Sequence, residues 1–312
     1  MWYVFKRSPA IILAVLFPSV FLFFFRTIIS DSWKKKIAPI ARYCRWRLLR
    51  QQDIQTIVST QYTDDAVDVS IIIPNFNYNN FIPKAIHSAF NTADHALNEG
   101  ITTEVIVVDD NSDDGSRATI ESIIKARSKP AKAIFLKSNC GLSNARNTGM
   151  QASNGELLLF LDSDNWLNDN AVTSLCASMK DKKAAASYGK IQTWHLKSGK
   201  KGVVFSDQPY NLERLLTRGN YIDAMAMYRK KTLVSLGGFS TRLQLFSWCY
   251  EDYELWVRIG TYGHSVINIP DIIGEYLFKE DSLITKARGD KAFTTKLIRL
   301  QARSRMLFRK FK

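Results

Sequence analysis

From residue 68 onward the sequence predicts an α/β domain: a mostly parallel, Rossmann-like sheet flanked by helices. Three observations predict it. Short apolar runs ended by turn residues alternate with helical stretches at βαβ spacing. Polar residues follow those runs, where the carboxyl ends of parallel strands bind ligands. No G-x-G-x-x-G follows the first run and no G-x-x-x-x-G-K-[ST] occurs, so a dinucleotide cofactor and a P-loop are both disfavoured.

The elements are read in order. "VDVSIIIP" is an apolar run ended by Pro74, a buried-strand signature. The polar turn "NFNYNN" leads to a helical stretch around Lys84–Phe90. "TEVIVVDD", 103–110, is the second strand. "SRATIESIIKA", 116–126, sets Ile120, Ile123 and Ile124 at helical spacing with Ser116 as N-cap. "AKAIFLK" is the third strand, "SNARNTGMQAS" opens another helix, and "ELLLFLD" is the fourth strand. "AAASYGKIQTW" and "YIDAMAMYRKKTLVSLGGF" read as further strands, with Gly237-Gly238 as a turn.

Polar residues stand at the strand ends: Asn75 after the first, Asp109 and Asp110 at the second, Asn139 after the third, Asp162 and Asp164 at the fourth. Burying a carboxylate is costly unless something positive meets it. Two acids one residue apart meet a divalent cation directly or through water, and oxygen ligands suit Mg²⁺ or Mn²⁺ shared with substrate phosphates. An isolated D-x-D is equally a pair of solvated loop acids.

The net charge of +14 is a property of the ends. Residues 1–50 carry ten Lys/Arg against Asp31, and residues 286–312 carry ten against Asp290, which leaves about −4 for the middle. A nucleic-acid binder places such charge across a folded face, so no nucleic-acid partner is expected. Pro9 to Ile29, broken only by Arg26, is long enough as one helix, about 31 Å, to cross a bilayer core. Pro18-Ser19 leaves a re-entrant anchor open beside a single span. The dense positive charge after the segment predicts a membrane-associated protein whose remaining chain faces the cytoplasm. Cys44, Cys140, Cys176 and Cys249 show no metal spacing and read as free thiols.

The expected organisation is an anchor and basic juxtamembrane segment at 1–50, a catalytic domain at 67–285, and a basic amphipathic helix at 286–312. The domain divides into a donor half, 67–182, and an acceptor half, 183–285. In the last helix Phe293, Leu297, Leu300, Leu307 and Phe311 form one apolar stripe, suited to a surface of anionic lipid.

"VSIIIPNFN", "VVDDNSDDGS", "NCGLSNARNTGM", "GELLLFLDSDNWL" and "EDYELWVRIGTYG" occur in that order. Together they resemble the family 2 glycosyltransferases of the GT-A fold, over roughly residues 68–285. The resemblance implies inverting transfer of a sugar from a nucleotide-diphosphate sugar. It implies nucleotide-sugar contacts at Pro74, Asn75, Asp109, Asp110, Arg146 and Asp162, a metal, Mn²⁺ or Mg²⁺, at Asp162 and Asp164, and a general base at Asp252. The base has its own case: Glu251, Asp252 and Glu254 crowd three acids among aromatic residues, which raises a carboxylate pKa and suits an acceptor hydroxyl. Two departures from the family pattern stand out. Where it often has Y-R-x-H, this chain has "EYLFKEDS", with Leu277 and Lys279 at the Arg and His positions. No Q-x-x-R-W follows Asp252, which favours transfer of a single sugar over polymer synthesis. The expected acceptor is a glycan or lipid-linked glycan, as in surface polysaccharide or glycoconjugate synthesis. The rival reading is an inactive nucleotide-binding scaffold of the same fold.

Overall fold

The computed structural model describes residues 54–241, 250–279 and 291–310. Its strands are β1 (Ile54–Val58), β2 (Val67–Asn75), β3 (Thr103–Asp109), β4 (Ala131–Leu136), β5 (Gly155–Phe160), β6 (Trp166–Leu167), β7 (Ala184–His195), β8 (Lys200–Phe205), β9 (Met227–Arg229) and β10 (Ser265–Phe278). Its helices are α1 (Ile82–Asn98), α2 (Ser116–Ala126), α3 (Leu142–Ala152), α4 (Ala171–Ser178), α5 (Leu212–Arg218), α6 (Lys230–Ser235), α7 (Glu251–Thr261) and α8 (Lys291–Lys310).

All ten described strands join one sheet in the order β1-β4-β3-β2-β5-β9-β7-β10-β6, with β8 paired to β7. The pairings β2–β3, β2–β5, β3–β4 and β7–β10 are parallel. The other five are antiparallel, so the sheet is mixed where a mostly parallel one was expected. Because β9 runs against both β5 and β7, strands β2, β3, β4, β5, β7 and β10 nevertheless share one direction. Their carboxyl ends therefore lie along one edge.

Period-two alternation sends side chains to opposite faces. Val69, Ile71 and Ile73 of β2, with Val105 and Val107 of β3, pack under α1, α2 and α4. Ile72, Ile106 and Val108, with Leu158 and Phe160 of β5, pack under α3, α5, α6, α7 and α8. Both faces are buried, which is why the strands read as unbroken apolar runs. Helix α3 lies close on β2: a Cβ on Gly149 would stand 2.4 Å from Cγ2 of Ile72.

Several expectations are corrected. The sheet begins before residue 67, since β1 pairs with β4 along its whole length. Ser116 is the first helical residue rather than the cap; Gly115 precedes it in the left-handed region, and Asp114 accepts from the Ser116 amide at 3.0 Å. Of the stretch 221–239 only β9 is a strand, and α6 follows it directly. Helix α8 is fastened to the domain: Thr294, Ile298 and Ala302 are fully buried and Arg305 donates to Glu254 of α7 at 3.1 Å. Leu297 is half-buried but Leu300 is 63% exposed, so the packed face is turned away from the expected stripe. Among the described residues no helix is long and apolar enough to cross a membrane. The Pro9–Ile29 segment lies outside them.

Candidate active site

The common edge of the sheet gathers the polar residues. The first group is tied together by hydrogen bonds. Asn75 donates to Asp109 Oδ1 at 2.8 Å, and Ser112 donates to the same carboxylate through its amide (3.0 Å) and hydroxyl (2.6 Å). Asp110 accepts from the amides of Cys140 (2.7 Å) and Gly141 (2.6 Å), which ties the β3 end to the turn before α3. Asn75, Asp109 and Asp110 are each about 2% exposed. They stand at the carboxyl edge of the sheet, with Pro74 inside β2. The Oδ1 atoms of Asn75 and Asn139 are buried without a hydrogen-bond partner.

The second group is the acid cluster. Asp162 follows β5, and the turn closes with the Asn165 amide donating to the Asp162 carbonyl at 3.0 Å. Asn165 Oδ1 accepts from the Leu277 amide, and β6 pairs with β10, so the D-x-D turn is held against the last strand. Arg146 of α3 donates to Asp162 Oδ1 at 2.6 Å and to Glu251 Oε1 at 2.5 Å. Its side chain is 1% exposed. Arg146 was expected against the donor's nucleotide or diphosphate. Both its terminal nitrogens are instead engaged by carboxylates, and it acts as the buried counter-ion that lets these acids stand together.

Asp252, the next residue, is half-buried at the start of α7 and accepts from Asn220 Nδ2 at 2.8 Å. Its helix is positioned from behind by Trp256, which is fully buried and stacked on Tyr228 at 5.2 Å. Tyr250, which enters the helix, has φ 76°, a costly conformation for a bulky residue and one that collects at functional sites. Burial, then Glu251 and Asp223, push the Asp252 carboxyl up to about 8. Asp223 is a fourth aspartate of the cluster, which the sequence reading missed. It stands just before β9, accepts from the Met225 amide at 2.8 Å, and is pushed up to about 7 by burial and by Asp162. Its signal was present: an acid abutting a short apolar strand, as at Asp162.

Asp164 pairs with Lys279 Nζ at 2.5 Å. Burial and Asp162 raise its pKa, against the lowering influence of Lys279. Tyr78 is pushed up to about 12 by burial and by Asp164 and Asp162. Tyr276 is raised by burial and by Asp223, Asp164, Asp162 and Asp252, Asp223 foremost of the four.

The cluster fits a divalent cation. Asp162, Asp164, Asp223, Glu251 and Asp252 face two cations, Arg146 and Lys279, and the raised carboxyls register that excess of negative charge. Asp162 and Asp164 keep 29% and 19% of their side chains exposed, so both are reachable. Among the described residues no group of three or more His, Cys, Asp or Glu is arranged to hold a metal. If a cation binds here, these two carboxylates would be the residues to hold it, with oxygens of a substrate to complete the shell.

Comparison with known proteins agrees with this geometry. Residues 70–237 match the model of glycosyl transferase family 2. The succinoglycan biosynthesis protein ExoO of Rhizobium meliloti is 37% identical over 101 residues, which is 32% of this chain and 26% of that protein. The poly(ribitol-phosphate) β-N-acetylglucosaminyltransferase TarP of Staphylococcus aureus is 32% identical over 136 residues, 43% of this chain and 37% of that one. The chain thus spans well under half the length of these two relatives. S. aureus TarS 1–349 in complex with UDP-GlcNAc shares the fold, with a TM-score of 0.59 and 21% identity over 74% of this chain and 65% of that one. With more than half of its length matched by the family model and its acids gathered on one sheet edge, the chain belongs to glycosyl transferase family 2.

Proposed function

We propose that this glycosyltransferase moves a single sugar from a nucleotide-diphosphate sugar to a hydroxyl acceptor with inversion at the anomeric carbon. One observation carries the reading: Arg146 joins Asp162, in the donor half, to Glu251, the neighbour of Asp252. The two carboxylates assigned to donor and acceptor are therefore held in one rigid cluster, as a direct displacement needs.

Asp162 and Asp164 would hold Mg²⁺ or Mn²⁺. Such an ion supplies Lewis-acid charge to the departing diphosphate. Asp252 accepts the proton of the acceptor hydroxyl as that oxygen bonds to the anomeric carbon. The bond from that carbon to the diphosphate oxygen breaks, and the nucleoside diphosphate leaves with the electron pair. Attack opposite the leaving group gives inversion. Arg146 holds Asp162 in place, and Asn220 orients Asp252.

Of the relatives named above, ExoO is a succinoglycan biosynthesis protein and TarP a poly(ribitol-phosphate) β-N-acetylglucosaminyltransferase. With the apolar segment at Pro9–Ile29, this supports a glycan or lipid-linked acceptor at a membrane surface, with the catalytic domain facing the cytoplasm. A panel of nucleotide sugars with Mn²⁺ tests the donor reading. One member should raise the melting temperature and be turned over, and the product's anomeric configuration should be opposite to the donor's. Retention of configuration, or turnover of none, would contradict it.

A further inference from the structure

Resting on the nucleotide-diphosphate reading above, we propose that Lys279 is a built-in counter-cation for the donor's diphosphate. The nucleoside diphosphate then binds appreciably without any divalent metal. The observation is the setting of the ammonium. Lys279 Nζ lies 2.5 Å from Asp164 Oδ2, 4.0 Å from the centre of the Tyr78 ring and 4.5 Å from that of Phe81. The side chain is 13% exposed, far less than a solvated surface lysine such as Lys125 at 60%. Ordering and desolvating a lysine to this degree costs free energy that an exposed ion pair does not return. Here the two aromatic faces and a partly buried carboxylate offset it.

Every part of that cage is fixed. Tyr78 and Phe81 come from the loop after β2, whose Asn77 has φ 57° and donates through its amide to Ser112 Oγ at 2.9 Å. Asp164 belongs to the D-x-D turn, locked to β10 through Asn165 and Leu277. Lys279 itself follows β10 at the shared carboxyl edge. Among the described residues Asp164 is its ion-pair partner, and an ammonium has three donors, so N–H capacity remains for a phosphate oxygen. The ammonium thus stands on the very carboxylate assigned to the metal and meets part of the charge that a cation would otherwise meet alone. A charge-assisted contact to phosphate in such a site is strong enough to be read as a tenfold or larger change in affinity.

The test is titration of the full chain with UDP, GDP, CDP, ADP and dTDP by calorimetry, in excess EDTA and again with Mn²⁺. Lys279→Met removes the charge at similar length, and Lys279→Arg retains it. The expected result is that one nucleotide binds the native chain in EDTA, that Lys279→Met weakens this about tenfold or more, and that Lys279→Arg recovers most of it. Both variants should melt as single cooperative units. Binding that requires Mn²⁺ in the native chain overturns the role of Lys279 and leaves the donor site standing. Equal affinity of native and Lys279→Met chains in EDTA does the same. No binding of any nucleotide under either condition overturns the donor reading and this inference together.

Discussion

Asp162 and Glu251 stand 89 residues apart in the chain yet share one guanidinium, that of Arg146, at 2.6 and 2.5 Å. This bridge joins the D-x-D turn to the helix that carries Asp252, and it is buried. Breaking a buried ionic cluster by removing one partner leaves uncompensated charge, at a cost of about 3–5 kcal/mol. Arg146→Met is therefore expected to lower the melting temperature steeply. Arg146→Lys should recover only part of the loss, because one ammonium cannot reproduce the fork. Thermal unfolding of both variants checks this, and a native-like melting temperature for Arg146→Met would contradict the bridging role.

The raised carboxyls set the pH dependence. Asp252 must be ionised to accept a proton, and in the free protein it keeps its own proton up to about 8. The ratio kcat/KM for the donor should rise with pH along a limb centred near 8. Asp223 is one of the charges that raise Asp252, so Asp223→Asn should shift that limb to lower pH. Stability moves the other way. A carboxyl whose folded pKa lies above its unfolded value, about 4, stabilises fully below that value, and the contribution is lost as pH rises to 7–8. Paired rate and melting profiles of native and Asp223→Asn chains read both effects.

Asp164 is assigned to the metal and also holds Lys279. Asp164→Ala should abolish transfer and remove the gain in nucleoside diphosphate affinity that Mn²⁺ gives. Turnover that is unchanged with Mn²⁺ or Mg²⁺ would contradict the metal assignment.

Helix α8 is predicted to be part of the catalytic domain's stability. Ile298 is fully buried against the α7 side of the sheet, so Ile298→Ala should cost about 2–5 kcal/mol. Leu300→Ala, at an exposed site two residues on and on the opposite face of the helix, should cost little. Denaturant titration of the two variants separates them. Equal small losses would mean that the helix is held only loosely.

How far the molecule was legible follows from which forces act locally. Strands β2 to β5 were readable because each is buried on both faces over most of its length and so carries a run of apolar residues. Strand β1 escaped notice because it is an edge strand whose residues are mostly exposed. In the 183–241 stretch, β9 is three residues long and is made a strand by the flanking β5 and β7, not by its own pattern. In the site, Asp162 and Asp164 announced themselves by ending an apolar run. The partner of Arg146 did not, since Glu251 lies 105 residues away and only the fold brings them together. Asp223 was missed although an acid beside an apolar stretch was in view, because the strand that follows it is fixed by its neighbours.

The central claim is that Asp252 is the base of a nucleotide-sugar-dependent transfer. It is tested most directly by nucleoside diphosphate release from the turned-over nucleotide sugar, measured on native and Asp252→Asn chains alongside their nucleotide affinities. The account predicts release by the native chain, a loss of about 10²-fold or more in Asp252→Asn, and nucleotide affinity nearly unchanged. A native chain that binds nucleotide but releases none from any nucleotide sugar would identify a scaffold. Parallel losses of affinity and rate in Asp252→Asn would make Asp252 a structural residue and contradict the account.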